Sequence, residues 1–241
     1  MKDKVKKASN AIKEFSRFAK AYEQYNIIQS EVAKRLVSSL PAGYYRTIVD
    51  IGAGSGKVYQ NLLEYDISFE RFIALDSSWE MLEIHPEEKC VKKVCADFNL
   101  PETFEKLDTK EEILLLSSSA LQWSRDLDFT VSRLSQLSDK AYFAIFTSNT
   151  FKTLHQYAGV DSPIYSTEIL KKTIDTYYDA SYELRQYKLH FDSVYEMFRY
   201  IKKSGISGGE KRLGYKEMKA LMKHYPLDHL EFEVLFVNAK R

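Results

Sequence analysis

From Ala8 to about Leu40 the apolar positions recur at helical spacing. Ile12, Phe15, Phe18, Ala19 and Tyr22 share one face, Ile27 to Leu40 continues the pattern, and Pro41 and Gly43 end it. Residues 1–40 are therefore expected to form N-terminal helices. Five short apolar runs follow, separated by helix-like stretches: Thr47 to Ile51, Arg71 to Leu75, Val91 to Val94, Ile113 to Leu116 and Tyr142 to Phe146. Buried strands alternating with helices predict βαβ units and a mainly parallel sheet covered on both faces. After Thr147 the rhythm changes. Residues 149–180 read as helices broken at Ser162-Pro163 and are expected to be a helical cap inserted after the fifth strand. Tyr182 to Phe191 reads as a strand, and Val194 to Ile201 and Met218 to Tyr225 read as helices. The final run LEFEVLFVNAK alternates like a strand with one half-exposed face, which predicts an antiparallel pair closing the sheet. The passage SGISGGEKRLG reads as a loop.

At 241 residues and 44% apolar content the chain can bury a full core, and one domain over 1–241 is expected. A net charge of +1 argues against nucleic acid as a partner. The first residues, MKDKVKKASNAIKEF, carry neither the apolar core of a signal peptide nor a membrane anchor, so a cytoplasmic protein is expected. Cys90 and Cys95 match neither a redox pair nor a zinc knuckle. His85, His155, His190, His224 and His229 show no metal-ligand spacing, and no metal site is expected.

The chemistry concentrates where the first strand runs into VDIGAGSGKV. Gly52, Gly54 and Gly56 allow a sharp turn and close approach of the backbone to a ligand ahead of a helix N-terminus. Neither common nucleotide fingerprint fits. G-x-G-x-x-G would need glycine at Lys57, and a P-loop would need a longer gap between glycines and a hydroxyl at Val58. Asp50 precedes the loop, Asp76 ends the second strand where ribose hydroxyls are held, and Asp97 follows the third strand with Phe98 beside it. Singly, each aspartate also suits a turn or helix cap. Their shared place at strand ends points to a nucleotide-like ligand.

VDIGAGSG, ALDSSWEML and CADFNLP, in that order, resemble the motifs of class I S-adenosylmethionine-dependent methyltransferases over about residues 47–147. The resemblance implies a seven-stranded Rossmann-like sheet and S-adenosyl-L-methionine as cofactor. It implies Gly52, Ala53, Gly54 and Gly56 near its methionine part, Asp76 on the ribose, Asp97 and Phe98 at the adenine, Ser77 and Met81 flanking, and Asp50 supporting the loop or the ammonium.

FSRFAKAYEQYNIIQ, SALQW, FTSNTFKTLHQ and FRYIKKSGISGG together resemble the malonyl-acyl-carrier-protein O-methyltransferase family of biotin synthesis, the BioC family, over nearly the whole chain. The chain departs from that pattern at Leu137-Ser138-Asp139-Lys140, where a Pro-Gly turn is usual, at Ser118 in place of Asn, at Ala53 in place of Cys, and at Thr153 in place of an acidic residue. The resemblance implies methyl transfer to the free carboxylate of malonyl held on acyl carrier protein, or on coenzyme A. Gln29 and Ser117 are expected at the cofactor and Trp123 over the cofactor or substrate channel; Arg199 of FRYIKKSG is the residue expected to hold the substrate carboxylate, with the Tyr22 hydroxyl sharing that role, while the resemblance draws Tyr22 towards the cofactor.

That carboxylate, with a solution pKa near ~4, is ionised at neutral pH and needs no general base. An arginine matches its geometry. The residues also allow Arg199 as a solvated charge, Tyr22 as a core aromatic and Trp123 as a buried indole. Arg199, Lys202, Lys203, Lys211, Arg212, Lys216, Lys219 and Lys223 face only Glu196, Glu210 and Glu217 between Tyr195 and Tyr225, a basic stretch suited to an acidic carrier and extendable by Lys171-Lys172. A methyltransferase of another small carboxylic acid or metabolite, and a non-catalytic S-adenosylmethionine-binding protein, are the competing readings. No Asn/Asp-Pro-Pro-Tyr motif follows the fourth strand to support nucleic-acid modification.

Overall fold

The computed structural model describes residues 25–107, 112–203 and 214–241. Tyr22 and the helices expected before residue 25, and nearly all of SGISGGEKRLG, lie outside the described residues. In chain order the elements are α1 (Ile27–Ser38), β1 (Tyr44–Ile51), α2 (Lys57–Glu64), β2 (Ser68–Asp76), α3 (Trp79–Ile84), β3 (Val91–Cys95), α4 (Pro101–Glu105) and β4 (Ile113–Ser118). A 3-10 turn (Leu121–Trp123), α5 (Leu127–Leu137), β5 (Lys140–Phe146), α6 (Lys152–Ala158), α7 (Thr167–Ile174), β6 (Asp179–His190), α8 (Val194–Lys203), α9 (Tyr215–His224) and β7 (His229–Lys240) follow.

The strands form one seven-stranded sheet in the order β3-β2-β1-β4-β5-β7-β6. β1 to β5 run parallel, β7 pairs antiparallel with β5, and β6 antiparallel with β7. Two-residue periodicity divides the core. Ile48, Leu114, Leu116, Ala144 and Phe232 face a cluster built with Val32, Leu36 and Val37 of α1 and Leu62 of α2. Val49, Leu75, Leu115, Phe143 and Leu235 face the other, built with Val131 and Leu134 of α5 and Leu170 and Ile174 of α7.

Several boundaries differ from the sequence reading. β1 and β2 begin three residues earlier because the polar Tyr44–Arg46 and Ser68–Glu70 segments still pair in register, Tyr44 opposite Ser68 and Thr47 opposite Arg71. β7 has no half-exposed face, since it lies between β5 and β6 and is buried from Phe232 to Val237. Glu233 is buried with it and accepts hydrogen bonds from Thr147 Oγ1 at 2.6 Å and Asn149 Nδ2 at 2.9 Å. Burial pushes the Glu233 carboxyl up, but the bonds from Thr147, Asn149, Gln186 and Thr167 outweigh it, leaving the group below its ordinary range.

The cap over residues 149–180 is smaller than expected. α7 buries Leu170 and Ile174 completely against the sheet and is a crossover helix rather than a lid. Only α6 and the loop through Ser162-Pro163 remain to stand at the carboxyl end of β5.

Candidate cofactor and active site

The carboxyl ends of β1 to β4 converge on a cavity, where a ligand site of an open α/β sheet is expected. Its floor is the β1–α2 turn. Gly52 and Gly56 have φ of 76° and 88°, in the left-handed region. A side chain at Gly52 would collide with Ala120, and one at Gly56 would come within 2.9 Å of both Pro86 Cδ and His85 Cδ2. The glycines thus let the turn press onto the Ala-x-Gln-Trp segment on one side and the end of α3 on the other. Gly52 and Ala53 donate their N–H groups to the Leu75 carbonyl at 2.8 and 2.9 Å, which ties the turn to β2.

Asp76 closes that link. Its Oδ2 accepts from the Gly54 N–H at 2.9 Å and its Oδ1 from the Ser78 N–H at 2.8 Å, so the carboxylate is aimed before any ligand arrives. Burial raises its pKa, and the backbone bonds from Ser78, Gly54 and Ser77 partly offset the rise. Asp50 lies deeper, completely buried, and neither of its oxygens has a partner among the described residues. Burial first and the nearby Asp76 second push its carboxyl up to about 8.

On the opposite wall β4 ends in serines. Ser119 takes a φ of 60°, unusual for a residue with a side chain, and is held there by its N–H to the Ala144 carbonyl at 2.8 Å and by Gln122 Nε2 to its own carbonyl at 2.7 Å. The Gln of the Ala-x-Gln-Trp segment therefore fixes the loop through its amide nitrogen.

Of the residues assigned to the site from sequence, Gln29, Gly52, Ala53, Gly54, Asp76, Ser77, Met81, Asp97, Phe98 and Trp123 line the cavity. Gly56 and Asp50 sit beneath it and are not part of the wall. Ser117 is corrected: it is fully buried in β4 and donates to the Ile51 carbonyl at 2.7 Å, bracing β4 against β1, while Ser118 and Ser119 face the cavity instead. The alternation of a strand decides this, because a one-residue step reverses the face. Arg199 is exposed on α8 and is not part of the wall. Tyr22 lies outside the described residues.

Asp97 is engaged rather than free. Its Oδ2 pairs with Arg125 Nη2 at 2.7 Å and its Oδ1 accepts from Asn99 N and Nδ2 at 2.9 and 2.8 Å. Sequence reading missed Asn26, Ser55, Lys57, Ser78 and Asn99 on the wall. Ser55 and Lys57 were within reach of it, since both belong to the quoted glycine stretch.

The wall carries polar atoms that no described residue satisfies: Asn26 Nδ2, Gln29 Oε1, Ser55 Oγ, Ser118 Oγ, Ser119 Oγ and Trp123 Nε1. Each buried orphan costs about 1–3 kcal/mol unless a ligand or solvent engages it. Hydroxyl, amide and indole groups, a pre-aimed carboxylate and the apolar Met81 and Phe98 match a nucleoside bearing a polar tail. Two of the histidines that show no metal-ligand spacing along the chain are brought together by strand pairing: His190 and His229 are register partners across β6 and β7, with Asp228 beside them.

Strand order, glycine turn and terminal antiparallel pair together define the fold of the class I S-adenosylmethionine-dependent methyltransferases. No protein-family model matches the chain. A malonyl-[acyl-carrier protein] O-methyltransferase of Marinomonas sp. (strain MWYL1) is 27% identical, over 95% of this chain and 92% of its own length. A protein of the same name from Neorickettsia risticii (strain Illinois) is 25% identical, over 92% of each chain. Among solved structures, the YcgJ protein of Bacillus subtilis superposes with a TM-score of 0.61 at 12% identity, covering 88% of this chain and 98% of its own. These likenesses support an S-adenosylmethionine-dependent methyltransferase.

Proposed function

We propose that the chain transfers the methyl group of S-adenosylmethionine to the free carboxylate of a malonyl thioester, with malonyl-acyl carrier protein as the acceptor. The observation that carries the reading is similarity along nearly the full chain to proteins bearing that name, joined to a cavity whose unsatisfied polar atoms and oriented Asp76 suit the cofactor. When bound, the cofactor supplies an electrophilic methyl group on a sulfonium. Asp76 would accept from the ribose hydroxyls, and Phe98 and Met81 would cover the adenine. Asp97 serves the adenine edge only by sharing its carboxylate with Arg125. Gly52, Ala53 and Gly54 bring backbone close to the methionine part, with Gln29 alongside.

The malonyl carboxylate attacks without a base, so the protein's task is to align it and exclude water. Trp123 and Ser119, at the end of β4, border the acceptor's approach. Arg199 and Tyr22 hold the carboxylate in this reading, and the cations of α8 and α9 receive the acidic carrier. A second reading rests on the exposure of Arg199 away from the cavity: a class I methyltransferase of another small carboxylic acid or metabolite, needing no carrier. A third, a cofactor-binding protein without catalysis, predicts binding and no transfer. Labelled methyl transfer to malonyl-carrier protein, malonyl-coenzyme A and free malonate separates them. The first acceptor is expected to be strongly preferred, and no turnover of either malonyl thioester sinks the proposal.

A further inference from the structure

The strand pairing at the far end of the sheet assembles a second cluster of chemistry, apart from the cofactor cavity. His190, the last residue of β6, is the register partner of His229, the first of β7, so their side chains leave the same face of the antiparallel pair. Their ring centroids are 4.9 Å apart. Asp228 precedes β7 and puts Oδ1 between them, 2.8 Å from His229 Nδ1 and 3.4 Å from His190 Nδ1. One ligand atom from each residue lies within 4.8 Å of the other two. The backbone under the cluster is fixed, because the Phe191 N–H donates to the Asp228 carbonyl at 2.9 Å.

We propose that His190, His229 and Asp228 form a binding site for a divalent transition-metal ion of the zinc type. Two imidazoles and one carboxylate are a donor set that zinc, nickel and copper accept, whereas magnesium and calcium favour oxygen alone. Metal–ligand bonds of about 2.0–2.2 Å require the three atoms to draw together by small rotations. His190 and Asp228 are exposed, so their side chains can make them. Solvent completes the coordination, as the open side of the cluster allows. The histidines stand on paired strands and not on loops, which holds the donor spacing.

The position gives the site a consequence. β6 and β7 bound the segment that carries α8 and α9, and a metal joining His190 to Asp228 and His229 would clasp its two ends. Such a clasp would add to the β6–β7 pairing that already holds those ends together.

The test uses the full chain, stripped with a chelator and titrated with zinc chloride by calorimetry. Uptake of one ion per chain is expected, lost in H190A and in H229A and retained in H224A. Cobalt(II) in place of zinc is expected to give visible absorption that disappears in the same two variants. Zinc is also expected to raise the Tm of the wild type and leave that of H190A unmoved, while magnesium chloride does neither. Because His190 is exposed, H190A is a safe variant for the fold. Absence of uptake by the wild type, or equal zinc affinity in H190A and wild type, would overturn the proposal.

Discussion

Asp50 shows how a single buried group sets a measurable property. Its carboxyl is raised to about 8 while the unfolded chain ionises it near the ordinary value of 3.8. Between those values the folded state binds one proton more than the unfolded state, so stability falls as pH rises, by up to about 1.4 kcal/mol per unit. Urea unfolding of the ligand-free protein across this window is expected to show that slope, and D50N is expected to flatten it and to be the more stable protein at pH 8. An unchanged slope in D50N would place the ionisation elsewhere. Asp97 carries a different lesson. Its place after β3 was legible from CADF, but Arg125 was not, because the pair joins residues 28 apart through the packing of two loops. Ser117 was misplaced for a local reason, as the run of three serines gives no hint where β4 stops and which face each one takes.

Among the elements, β4 and β5 were legible because each is a short continuous apolar run buried on both faces, whereas β3, Val-Lys-Lys-Val-Cys, buries only Val94. The polar ends of β1 and β2 were not, since pairing of Tyr44 with Ser68 depends on the neighbouring strand. LEFEVLFVNAK has the alternation of a half-exposed strand, and only its place between β5 and β6, with Thr147 and Asn149 meeting Glu233, explains why the acid is inside. α7 is the sharpest case. Its periodicity announced a helix but not whether the helix covers a site or completes the core. Because Leu170 is fully buried beneath α7, L170A is expected to cost about 2–5 kcal/mol in chemical denaturation. A loss below about 1 kcal/mol would return α7 to the role of a detachable lid.

For the whole molecule, the near-neutral net charge conceals a local asymmetry. Lys216, Lys219 and Lys223 lie on α9, with Arg199 on α8, and the described side chains of Arg199, Lys216 and Lys219 are exposed. An acidic carrier steered to that surface would feel the fall in screening length from about 10 Å at 0.1 M salt to about 3 Å at 1 M. The kcat/KM for malonyl-carrier protein is therefore expected to drop steeply with salt, and that for malonyl-coenzyme A to drop less. Equal salt dependence would remove the docking surface from the account. No helix of the described residues is long and apolar enough to cross a membrane. The sequence motifs led to the cavity wall, since Gly52, Asp76 and Asp97 follow or end their own strands and all line it. Of the two residues proposed for the acceptor, Arg199 was chosen because a guanidinium matches a carboxylate, and it lies off the wall, while Tyr22 lies outside the described residues.

Everything proposed for the site requires that Asp76 and the glycine turn hold S-adenosylmethionine at the carboxyl edge of the sheet. Calorimetric titration of the full chain with S-adenosylmethionine, beside D76A, tests it most directly. Saturable binding at one site is expected in the wild type and a loss of at least about tenfold in D76A, the equivalent of about 1.4 kcal/mol. Absence of binding in the wild type, or the same affinity in D76A, would contradict it.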